Sequence, residues 1–84
     1  MSIIKSKKLS RAVTRFTSAM RTRLAQKERE GFSGWDDKLR FTTEQFVGRA
    51  AEKMEDMESL ETPQNAVDIA NLMMMVWYRL NTNK

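Results

Sequence analysis

The stretch from Asn65 to Leu80 constrains this chain most. Val67, Ile69, Ala70, Leu72, Met73, Met74, Met75, Val76 and Trp77 make it apolar nearly all the way round a helix. A helix of that kind has to be covered on more than one side. Other helices of the chain must supply the cover, or a second subunit must. At 84 residues the sequence makes one small domain whose single core is only marginally sufficient. A homo-oligomer, dimer or tetramer, is therefore the default expectation.

The rest of the chain reads as helices that can do this packing. Leu9, Val13, Phe16, Met20 and Leu24 recur every three or four residues, the spacing of a helix with one buried stripe. Arg11, Arg15, Arg21 and Arg23 lie largely off that stripe, either as a solvated face or as phosphate contacts along one helix edge. Gly31 and Gly34 then interrupt the pattern and predict an ordered loop, with Trp35 as a core plug or, alternatively, a surface for stacking on a nucleobase. Asp36 or Asp37 is placed to cap the next helix, in which Leu39, Phe41, Phe46 and Val47 supply apolar surface. A third helix, Thr43 to Leu60 with Thr43 as cap, presents Phe46, Val47, Ala50, Met54 and Met57 on one face. Thr62-Pro63-Gln64 makes the break before the last helix, because proline fits a first turn but not a helix interior. The expected fold is a small all-α bundle of about four helices completed by oligomerisation, with residues 1–7 a flexible basic arm and 8–84 a single domain.

Composition narrows the chemistry. There is no cysteine and no histidine, which removes disulfides, thiolate chemistry and the usual zinc sites and leaves oxygen ligands for magnesium as the one metal option. No apolar run approaches the roughly 20 residues of a membrane span, and the basic amino terminus lacks a signal-peptide core, so the chain reads as cytosolic. Residues 1–30 hold nine Lys/Arg against two acids, and residues 31–84 hold six against nine. A basic first helix joined to an acidic remainder suits polyphosphate, nucleic acid or the acidic half of a neighbouring subunit. The seven methionines read as core and interface filler.

The acids carry the sharper signal. Glu52, Glu55 and Asp56 fall at spacings that share a helix face, and Asp68 with Asn71 does so on the last helix. Asp68 stands among apolar positions, where a charge is costly unless it binds or pairs. A magnesium-bound polyphosphate needs only two to four such carboxylates from the protein, roughly, because waters and phosphate oxygens complete the shell.

These residues carry a family resemblance. A helix ending Ala19-Met20-Arg21-Thr22-Arg23-Leu24, a loop ending Gly34-Trp35, the segment Arg49-Ala50-Ala51-Glu52-Lys53-Met54-Glu55-Asp56-Met57 and the run Asp68-Ile69-Ala70-Asn71-Leu72-Met73-Met74 together resemble small phage-encoded MazG-like proteins, over residues 16–80. That family includes all-α nucleotide pyrophosphohydrolases of the dATP/dGTP type. The resemblance implies a Glu-Glu-x-x-Glu element on one helix and Glu-x-x-Asp on the next, both holding magnesium. They fall on Glu52, Lys53 and Asp56, and on Asn65 and Asp68. A shift of one residue makes Glu52 and Glu55 the first pair. Lys53 and Asn65 stand where carboxylates are expected, which weakens metal binding while leaving a place for phosphate.

The expectation is thus a phage protein, catalytically weak or inactive, that binds a nucleotide or cyclic nucleotide in the host cytosol and sequesters an immune signal such as a cyclic oligonucleotide or an ADP-ribose derivative. No cofactor is required on that reading. Its ligand-binding residues are Arg23, Trp35, Arg49, Lys53, Asn65 and Asn71, with Trp35 or Trp77 as a stacking surface. One alternative is a magnesium-dependent NTP or dNTP pyrophosphohydrolase with Glu52, Glu55, Asp56 and Asp68 as metal ligands. Another is an interaction module that uses the basic first helix against a host protein or nucleic acid.

Overall fold

The computed structural model describes residues 3–37, 39–55 and 63–81. Among them the chain is all-helical, with three helices: α1 (Lys7–Arg29), α2 (Thr43–Glu55) and α3 (Pro63–Asn81). Among the described residues no helix is long and apolar enough to cross a membrane.

Local chemistry sets each helix end. Ser6 caps α1, its hydroxyl accepting from the Leu9 amide at 3.2 Å. At the other end Gly31 adopts φ +94°, Phe32 N donates to Lys27 O at 2.9 Å and Gly31 N donates to Glu28 O at 3.0 Å. That paired pattern with a left-handed glycine is a Schellman stop, and it turns Phe32 back towards the core. α2 opens with a reciprocal capping box. Gln45 N donates to Thr42 Oγ1 at 3.2 Å and Thr42 N donates to Gln45 Oε1 at 2.8 Å, so the cap is Thr42 and not Thr43. Pro63 occupies the first position of α3, where its missing N–H costs nothing.

The second of the four expected helices does not form. Asp37 Oδ1 accepts from Leu39 N at 2.9 Å, while Arg40 N and Phe41 N both bond back to Asp37 O. The aspartate closes a local turn that competes with helix growth, and Leu39 is left 99% exposed with nothing to pack on. The chain therefore reaches α2 through turns.

α3 is the central element, with α2 and α1 each packed against it. Phe46 and Ala50 of α2 and Val67 and Met75 of α3 are the buried apolar residues. The apolar face expected on α2 is narrower than its sequence: Val47 and Met54 are exposed, and Met57 lies outside the described residues. α1 buries no residue completely, and Leu9, Val13 and Phe16 in its first half remain exposed. The chain has 6914 Å² of accessible surface, against about 5,200 Å² for a compact monomer of its mass. Its radius of gyration is 14.4 Å, where about 12 Å is typical for this length.

Candidate functional site

The three helices converge on one carboxylate. Asp68 lies on the inward face of α3 and is 6% exposed. Its Oδ1 accepts from Arg23 Nε of α1 at 3.0 Å, and its Oδ2 faces Lys53 Nζ of α2 at 3.4 Å. These are the two ion pairs found among the described residues, and both end on Asp68. Gln26 Oε1 accepts from Arg23 Nη1 at 3.0 Å and fixes the guanidinium from its own helix. One turn along α3, buried Asn71 donates from Nδ2 to the Met20 carbonyl at 3.3 Å, while its Oδ1 is buried with no donor among the described residues. That orphaned acceptor is costly unless something donates to it.

Beside this cluster is a cavity of about 110 Å³, bounded on its polar side by Lys27, Arg49, Lys53, Asp68 and Asn71. A second cavity of about 190 Å³, lined by Glu28, Trp35 and Met74, adjoins it and shares Leu24, Phe32 and Met75. Trp35 is half-buried there, edge-on to Tyr78 with ring centroids 5.1 Å apart. A larger depression, about 680 Å³, is a different feature: an open trough along α1 beside Arg15, Arg23 and the start of α3. Volume alone does not make a site. The smaller pair has the convergent, half-buried polar groups that fix a ligand.

Arg23, Lys53, Asp68 and Asn71 are brought together, Arg49 reaches the same cavity, and Trp35 bounds the adjoining one. Asn65 is half-buried and lines neither cavity. Glu52 and Glu55 are exposed on α2, and Asp56 lies outside the described residues. Among the described residues no three acids come close enough to hold a metal ion. Asp68 is already paired to two cations, Arg23 and Lys53. Sequence reasoning missed Lys27 and Phe32. Lys27 sits one turn beyond Arg23, and Phe32 follows the glycine that ends α1, so helical register would have found both.

It also missed Arg79, which is 1% exposed on α3. Its Nη2 donates to the Phe41 carbonyl, its guanidinium lies 5.1 Å from the Phe46 ring centroid, and Nε and Nη1 have no hydrogen-bond partner among the described residues. Arg79 ties the loop before α2 to the end of α3. Asp68, Asn71, Met75 and Arg79 recur every three or four residues, so two charges share the buried face of a helix that reads as apolar.

Compared with family models, curated proteins and solved structures, the chain matches none.

Proposed function

We propose that this chain binds a nucleotide or nucleotide-derived small molecule through its phosphate groups and retains it without hydrolysis. The observation that carries the reading is the charge around Asp68. Arg23, Lys27, Arg49 and Lys53 surround one buried carboxylate, an excess of positive charge in a partly desolvated place, which favours an anion over a divalent cation. Lysine and arginine are the side chains that meet phosphate in charge-assisted hydrogen bonds.

Size and shape support the same reading. The cationic cavity is well below the roughly 300–1,000 Å³ that encloses a drug-sized ligand, so it suits a phosphate group and not a whole nucleotide. The adjoining cavity offers Phe32 and Trp35 to a flat ring, and Glu28 at its edge can accept from an exocyclic amine. Asn71 Oδ1 would take a ligand hydroxyl as its missing donor. With Asp68 paired to two cations, the chain acts by holding its ligand. The resemblance to phage-encoded MazG-like proteins extends this to stoichiometric removal of a host signalling nucleotide in the cytosol.

A thermal-shift panel of NTPs, dNTPs, cyclic dinucleotides and cyclic ADP-ribose isomers, each with EDTA or magnesium, tests the proposal when each bound ligand is recovered and checked by chromatography. The expected result is at least one ligand that raises Tm in EDTA and returns intact. Magnesium-dependent cleavage would establish the hydrolase instead, and no shift across the panel would overturn both.

A further inference from the structure

The first three turns of α1 and the arm before them lie open to solvent. Every residue from 3 to 19 is exposed, and the hydrogen bonds that tie the helix to α3 begin only at Met20 and Arg23. Within that span Leu9, Val13 and Phe16 are 55%, 43% and 40% exposed and share one helix face. Ile3 and Ile4 stand just before the Ser6 cap and are exposed as well. Around this apolar line Lys5, Lys7, Lys8, Arg11, Arg15 and Arg21 take part in no ion pair among the described residues. No acid occurs in the sequence before Glu28.

We propose that α1 and the arm before it dock on the surface of an anionic lipid bilayer, the helix lying in the plane of the interface. The proposal does not depend on the ligand reading, because this surface lies apart from the Asp68 cluster. An apolar face set among cations matches both layers of such a surface. Leu9, Val13 and Phe16 enter the acyl boundary, while the long basic side chains reach back to the headgroup phosphates. Ile3 and Ile4 beside Lys5, Lys7 and Lys8 combine an apolar anchor with a polybasic one, the two signals that stable peripheral binding needs. The opposite face carries Ser10, Thr14 and Ser18, so the helix suits lying on a bilayer and not crossing it.

Charge selects this occupant. Two copies of α1 meeting face to face would bring uncompensated cations together. A nucleic acid would meet the cations through its phosphates but would leave Leu9, Val13 and Phe16 without apolar cover. The remainder of the chain sets the orientation. Residues 31–84 hold six Lys/Arg against nine acids, so the field that draws α1 in turns the rest of the molecule outward.

Flotation of the full chain with lipid vesicles tests the proposal. The chain is expected to float with vesicles containing phosphatidylglycerol and to stay behind with pure phosphatidylcholine. Leu9→Ser and Arg11→Glu should each weaken vesicle binding by about tenfold with helical circular dichroism unchanged. Leu80→Ser, at an equally exposed apolar position on α3, should leave binding as it was. If Leu9→Ser loses helicity, Ile4→Ser repeats the test outside the helix. The chain has no cysteine, so an environment-sensitive dye attached at Val13→Cys should shift to the blue on anionic vesicles, and the same dye at Leu80→Cys should not. No flotation with anionic vesicles, equal flotation with neutral ones, or the same loss from Leu80→Ser as from Leu9→Ser would overturn the docking surface. Duplex DNA that strips the chain from vesicles and binds Leu9→Ser as tightly as wild type would overturn it too, by assigning the cations to nucleic acid.

Discussion

Asp68 is the residue on which the account turns, and its partners are not equivalent. Arg23 holds it at 3.0 Å and Lys53 at 3.4 Å, and both cations keep some solvent access while the carboxylate keeps almost none. Removing the acid strands no buried charge, whereas removing Arg23 leaves a buried carboxylate with a single, longer contact. Arg23→Met is therefore expected to cost about 2–3 kcal/mol in urea unfolding and Asp68→Asn only about 1–2 kcal/mol. The reverse order would show that the acid is solvated in solution. Ligand binding should separate the two roles of the site. In calorimetric titrations Asp68→Asn should hold a phosphate-bearing ligand as tightly as wild type or a few-fold tighter, and Lys53→Glu should weaken it tenfold or more. Loss of binding in Asp68→Asn with retention in Lys53→Glu is the pattern of a metal site. Asp68 and Lys53 could be singled out in the sequence, the first as a charge in an apolar run and the second as a cation where the resemblance calls for an acid. That they touch could not, because the contact depends on how α2 crosses α3.

At the scale of elements, helix periodicity and punctuation carried most of the fold. The stripe from Leu9 to Leu24, the glycine stop and Pro63 place α1, the loop and α3. The failure at residues 36–42 has a local cause. Asp37 is as able to close a turn as to cap a helix, and no apolar partner rewards helix growth around Leu39. Buried Arg79 escaped notice because an arginine near a helix end reads as a dipole partner or a solvated charge. Two substitutions test the joints. Thr42→Ala removes the capping box of α2 and should lower stability by about 1 kcal/mol. Gly34 sits at φ +74°, where an added Cβ would meet the Arg40 side chain at 2.8 Å. Gly34→Ala should cost about 1–2 kcal/mol from backbone strain, with the arginine stem able to move aside. Chemical denaturation of each variant reads these values, and a neutral Gly34→Ala would mean that the loop rearranges around it.

The whole molecule is larger in surface and radius than is typical for its mass, with apolar residues left exposed on α1, α2 and α3 alike. The sequence alone could say that α3 needs more cover than one chain supplies. It could not say which face lacks it, since that depends on which side α1 and α2 occupy. Two responses should follow at this scale. Tm should rise with protein concentration if the homo-oligomer expected of so small a core forms, because association adds to the stability of the folded state. Ligand binding should weaken as salt screens the cationic cavity, and a salt-independent affinity would contradict a charge-based site.

As proposed, the chain holds a nucleotide phosphate in a cationic cleft without a metal and without turnover. Isothermal titration of the wild-type chain tests it most directly, with the tightest ligand of the nucleotide panel measured in EDTA and again in magnesium and the recovered ligand examined by chromatography. The account predicts the same affinity in both buffers, one site per chain at most, and intact ligand. Binding that requires magnesium, or recovery of a cleaved product, would contradict it.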